Sequence, residues 1–230
     1  MRSAARVVLF LFVITSAVSA QSVDAYNEPP SRLRGMIEKY EEDYGSLNRF
    51  YTAFTSANRA IRLRELYREY LTALDRQNFE SLNHDEQVDH ILFRNYLDHE
   101  LKELARGEAQ FAEMAPLMPF AKTISDLEDA RRRLEFVDPA KSAALLNELA
   151  KQIAATQRSF DGPNAQKPKR TVANRAARTV DGLRRTLRAW YTFYNAYDPN
   201  FTWWCESPYK AADDALGKYV NFISEKLVGI

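Results

Sequence analysis

The sequence is poor in the residues that cross-link a chain, break it into turns or charge it in one sense. Its 230 residues include a single cysteine, Cys205, so no internal disulfide can form and stability must come from packing. Seven glycines are too few for the many tight turns of a sandwich or barrel. A formal charge of +1 gives no global electrostatic case for nucleic acid or for a membrane surface. Beyond residue 20, no apolar run approaches the roughly 20 residues that a membrane span needs. There is no glycine-rich phosphate loop, no GxSxG elbow and no carboxylate cluster with a two-metal pattern.

Alanine, leucine, arginine and glutamate dominate, and 46% of the residues are hydrophobic. That content suits one globular domain and favours helices. Residues 1–20, "MRSAARVVLFLFVITSAVSA", have Arg2 and Arg6, then an apolar run from Val7 to Ile14, then small residues. They read as a secretory signal peptide cleaved after Ala20, with an uncleaved anchor as the alternative. Export to the periplasm or medium is therefore expected, with no membrane association after cleavage. Loss of the two arginines takes the formal charge from +1 to −1.

Residues 21–30 are a polar lead-in ending in Pro29 and Pro30, and the helical domain is expected over 31–230. Leu33, Ile37, Tyr40, Tyr44, Leu47, Phe50 and Phe54 follow at helical spacing. A second helix fits 57–75. Asn83 with Glu86 is a capping-box variant that opens a helix running to about Met114, where Pro116 and Pro119 force a turn. Another helix fits 123–136, and Asp138 with Pro139 restarts the chain as helix. Residues 161–169, "DGPNAQKPK", are linker-like, and 171–196 return to helix. "YDPNFTWWCESP" reads as an aromatic loop closed by Pro199 and Pro208, with the last helix beginning near Pro208. No segment alternates with period two. The expected fold is all-α, a bundle of long antiparallel helices. The apolar ending "YVNFISEKLVGI" suggests an incomplete portion of a larger helical domain.

"DHELKE" places His99-Glu100 three residues before Glu103, close to the His-Glu-x-x-His helix of zinc proteases. His90 lies nine residues away, about 900° of helix rotation, and His84 roughly four turns away. The three histidines cannot converge within one helix, so no catalytic residue and no metal ligand is assigned. The stretch reads instead as a solvated face with Asp98 and Lys102 as an i,i+4 pair. Lys167, Lys169, Arg170, Arg175, Arg178, Arg184, Arg185 and Arg188 form a basic run, read as a solvated face paired with the acidic "EKYEED" of 38–43. No nucleic-acid partner is expected. The aromatics of 190–209 suit a core or a ligand-cleft wall, with Trp203, Trp204 and Tyr209 as candidate substrate contacts. Cys205 is expected to be a buried small hydrophobe.

"SLNHDEQVDHILFRNYLDHEL" resembles the N-terminal helix of the bacterial family called domain of unknown function 885, through Asp89, Leu92, Asn95, Leu97, Glu100 and Leu101. "EMAPLMPF", "VDPAKSAALLNELAKQI", "TVANRAARTVDGLRRTLRAWYTFYNAYDPNFTWWCESPYKA" and "EKLVG" look like one branch of that family in order, covering about 31–230. The resemblance implies an exported, helical, zinc-peptidase-like hydrolase. Its metal motif, a His-Glu pair followed by Pro-Gly-His-His, does not occur in this sequence. Zinc is thus implied for the full-length family only, with no cofactor in this chain. The expected role is a non-catalytic N-terminal helical portion supplying scaffold and a cleft wall, its partners the remainder of the hydrolase domain and peptide substrate. The alternative is a stand-alone periplasmic helical interaction module.

Overall fold

The computed structural model describes residues 31–230 apart from Asn164 and Ala196. The expected signal peptide and lead-in lie outside the described residues. Among those described there are seven α-helices and no strand: α1 Arg34–Phe50, α2 Ala57–Asp75, α3 His84–Met114, α4 Ala121–Arg132, α5 Pro139–Asp161, α6 Arg170–Asn195 and α7 Pro199–Phe222. Short 3₁₀ turns occupy Phe79–Ser81 and Ala115–Leu117, and a π-helical turn, Ile223–Val228, continues α7. The fold is all-α. No described helix is long and apolar enough to cross a membrane.

Local chemistry sets several of these boundaries. Ser56 caps α2 by accepting from the Arg59 amide. Asn83 accepts from the Glu86 amide while Glu86 accepts from the Asn83 amide, the reciprocal capping box expected from the sequence. Asp138 accepts from Lys141, and Pro139 fills the first helical position, where its missing N–H has no cost. At the far end, Gly229 takes the left-handed φ of 84° that ends the π turn. The Arg170 guanidinium donates to the Val228 carbonyl there at 2.7 Å.

The helices close over two hydrophobic cores. The first joins α1, α2 and α3 around Tyr40, Leu66, Tyr67, Leu74, Phe93 and Leu97. Contacts of Asp43 with Tyr70 and of Asn48 with Arg59 show α1 antiparallel to α2. Those of Arg64 with Glu108 and Asp75 with Arg94 show α2 antiparallel to α3. The second core joins α4 to α7 around Ile124, Leu146, Ile153, Val180, Leu187, Trp190 and Tyr219. Contacts of Tyr191 with Tyr209, Arg184 with Asp213 and Arg170 with Val228 run α6 antiparallel to α7. The 31-residue α3, about 46 Å long, spans both cores, with Phe93 and Leu97 in the first and Met114 in the second.

A polar seam joins the cores where the α1–α2 connection meets α4. Thr52 donates to Glu128 at 2.7 Å, Ser56 to Asp129 at 2.5 Å and Asn58 to Asp129 at 2.9 Å. Arg131 and Arg132 hold Glu128 from its own helix. Three sequence expectations are corrected in these regions. The first apolar stripe does not continue as helix to Phe54, because residues beyond Phe50 turn to place Thr52, Thr55 and Ser56 against α4. The fourth helix occupies Ala121–Arg132 rather than 123–136, and Leu134 takes a positive φ of 57° as the chain leaves it. The aromatic stretch is not a loop before Pro208. Asp198 caps α7 with Pro199 at the first position, and Pro208 lies inside the helix.

Candidate functional site

The residues expected to wall a cleft are placed in two different settings. Trp203 and Trp204 stand on the outer surface of α7, 75% and 42% exposed, with rings edge-to-face at 5.0 Å. Tyr209 turns inward and stacks flat on Tyr191 of α6, with centroids 3.8 Å apart and planes 4° apart. The three therefore do not form one wall. Cys205, between them, is fully buried with its Sγ 3.5 Å from the Pro139 carbonyl. Burial pushes its thiol up to about 11, so it remains a protonated small hydrophobe at neutral pH.

The aromatic groove of this end is made by other residues. The α4–α5 connection supplies Phe136 and Val137, and the end of α6 with the start of α7 supplies Phe193, Tyr194, Tyr197 and Phe201, around a hollow of about 740 Å³. Phe136 and Tyr197 are 91% and 88% exposed. Arg131 lies over the Phe193 ring at 5.0 Å. Phe136 gave no signal in the sequence, since it falls within an expected helix.

A second cleft, of about 520 Å³, lies at the junction of the two cores between α2, α3, the α1–α2 connection and Thr179 of α6. Its walls are Tyr44, Phe54, Leu63, Tyr67, Leu104 and Phe111, and its charged groups are Arg59, Glu100, Glu103 and Glu108. Tyr67 donates to Glu100 at 3.3 Å, and burial raises the Tyr67 phenol well above its ordinary value, with Tyr44 and Glu100 adding to the effect. Arg59 donates to Asn48 at 2.7 Å and covers the Phe54 ring. Glu100 was singled out in the sequence as half of a His-Glu pair. Its partner is the Tyr67 hydroxyl of α2, which lies 33 residues earlier in the chain.

His99 is exposed on α3, while His90 is buried, 3.3 Å from the Leu74 carbonyl and edge-to-face with Phe79. His84 is exposed at the start of the same helix. Along α3 these rings are spread over roughly 22 Å. Among the described residues no three His, Cys, Asp or Glu side chains are grouped to hold a metal ion. The expected Asp98–Lys102 pair is absent from the ion pairs of the described residues, where Glu103 pairs with Arg106 instead.

The basic run has partners other than "EKYEED". Arg175 pairs with Glu113, Arg185 with Asp181, and Arg184 grips Asp213 through two bonds of 2.8 and 2.7 Å. The acidic stretch is on α1, in the other core, where Glu38 pairs with Arg34 and Asp43 accepts from Tyr70. Comparison with protein-family models, curated proteins and solved structures finds no match.

Proposed function

We propose that this chain is the non-catalytic helical part of an exported zinc-peptidase-like hydrolase, supplying scaffold and one wall of its substrate cleft. The remainder of the hydrolase domain is its partner, and peptide substrate its passing ligand. The motifs dispersed over 31–230 support this reading, and one observation carries it: the aromatic groove around Phe136 and Tyr197. Single exposed apolar side chains are ordinary on a protein surface, but several lining one hollow mark a contact surface. Export rests on residues 1–20, and recovery of a secreted product beginning at Gln21 tests it.

The carrying observation is tested on the purified mature chain with a hydrophobic fluorescent dye. Strong dye binding, lost when Phe136 and Tyr197 are both changed to serine, is the expected result. A wild-type chain that binds no dye overturns the reading. The stand-alone interaction module is favoured by the two closed cores and the capped helices, and it predicts a sharp cooperative melt without dye binding.

A further inference from the structure

We propose that the cleft at the junction of the two cores binds a small organic cation with an apolar body, its ammonium group resting on Glu100. This goes beyond the scaffold reading and does not depend on it. A hollow of about 520 Å³ falls in the ~300–1,000 Å³ range of small-molecule sites. Its apolar walls would take a hydrocarbon or aromatic body.

The charges decide what the other end must be. Three glutamates and one arginine line the cleft. Glu103 is neutralised by Arg106 at 2.8 Å and Glu108 by Arg64 at 2.5 Å. Arg59 is held by Asn48 and by the Phe54 ring, neutral groups that leave its charge in place, and its Nε is buried without a partner. Among the described residues Glu100 has no basic partner, and its hydrogen bond comes from the Tyr67 hydroxyl. The carboxylate left over is half-buried beside Tyr67 and Tyr44, whose ring centroids are 6.5 Å apart. An ammonium group gains from both features, since carboxylates accept its N–H bonds and aromatic faces attract its charge. A carboxylate or phosphate placed against Glu100 itself would meet a negative charge that no basic side chain is paired to, so only an anion held at Arg59 would compete.

Phenethylamine is the probe, with phenethyl alcohol as its neutral counterpart of similar shape. On the full mature chain, the amine is expected to shift the aromatic proton resonances of Tyr44 and Tyr67, with the alcohol about tenfold weaker or worse. Glu100→Gln should weaken the amine about tenfold and leave the alcohol unchanged. Arg59→Gln should not weaken the amine. The wild-type shifts stand without either variant, so a misfolded variant does not remove the test. Equal affinity for amine and alcohol, shifts mapping to Phe136 and Tyr197 instead, or no shift at any soluble concentration would each overturn the proposal.

Discussion

In the first core, α1, α2 and α3 close over tyrosines whose hydroxyls stay engaged. Tyr40 bonds Tyr96 at 3.3 Å, Tyr67 bonds Glu100 at 3.3 Å and Tyr70 bonds Asp43 at 2.8 Å. In the second core, α4 to α7 close over leucine, isoleucine, valine and alanine, with Trp190, Tyr219, Phe120 and Phe201 as the largest fully buried side chains. Amphipathic rings have polar tips that must find a partner at or near the margin of the core. Aliphatic side chains have no such demand and fill an interior densely. The junction cleft takes Tyr44, Tyr67 and Glu100 from the first group and Phe111 and Met114 from the second, whose far end also borders the Phe136–Tyr197 groove, while the second group supplies the greater share of fully buried side chains.

Trp190→Ala should be the most damaging single change. Trp190 is 1% exposed and meets Phe201 and Tyr194 edge-to-face at 5.3 and 5.6 Å. Its removal leaves a cavity in the closed core and is expected to cost about 3–5 kcal/mol in urea denaturation. A cost no larger than that of a tyrosine-to-phenylalanine change in the first core would break the contrast.

The seam between the cores comes next. Glu128 is 2% exposed. Burial disfavours its charge, but bonds from Arg131, Thr52 and Arg132 outweigh this and hold the carboxyl below its ordinary 4.5. A depressed folded-state pKa adds stability that is fully present above the unfolded value and is lost as pH falls through the folded one. Glu128→Gln should therefore cost about 3 kcal/mol at neutral pH, because the arginines lose their anion. The gap between variant and wild type should close as the pH drops below 4.5. A gap that holds constant into acid would show that the carboxylate's charge contributes nothing. Asp138→Ala, which removes the cap bond to the Lys141 amide and a long, exposed ion pair with the Lys141 ammonium, should cost about 1 kcal/mol in the same denaturation.

Much of this architecture was legible where a boundary depends on residues within one turn of it. The α2 bounds, the Asn83–Glu86 box and the Asp138–Pro139 start all match their sequence readings. Asp198–Pro199 carries the same Asp-Pro signal but was outweighed by Pro208, which was read as a boundary and lies within the helix. What no local pattern reveals is pairing across the chain. The turn after Phe50 is set by Ser125, Glu128 and Asp129, about 70 residues on. The junction cleft depends on three separated segments, and the sequence singles out only Glu100 and Glu103 of its residues, as parts of a zinc-like pattern rather than as the lining of a cleft. Trp203 and Trp204 were conspicuous by type, but type alone does not tell an outward helix face from a cleft wall.

The smallest effect tests the first core at its margin. Tyr70 is 8% exposed, its ring is edge-to-face with Tyr40 at 5.3 Å, and its hydroxyl donates to a partly exposed Asp43. Tyr70→Phe keeps the ring contacts, and Asp43 can recover its lost donor from water, so a cost of only about 0.5–1 kcal/mol is expected. The same hydroxyl makes the core sensitive to alkali. Burial, the Asp43 bond and nearby carboxylates raise the Tyr70 phenol above its ordinary value of 10.0. A raised folded-state pKa adds stability that is present below the unfolded value and declines as pH rises past it. Tyr40 and Tyr67 are shifted in the same direction, each chiefly by burial. Absorbance titration should therefore show these phenols resisting ionisation above pH 10 until the first core opens. Tyr70→Phe should lose less stability than wild type over that range, because one phenol fewer is released. If the variant and the wild type decline in parallel, the hydroxyl of Tyr70 is already open to solvent, and this part of the first core is no better sealed than the clefts beside it.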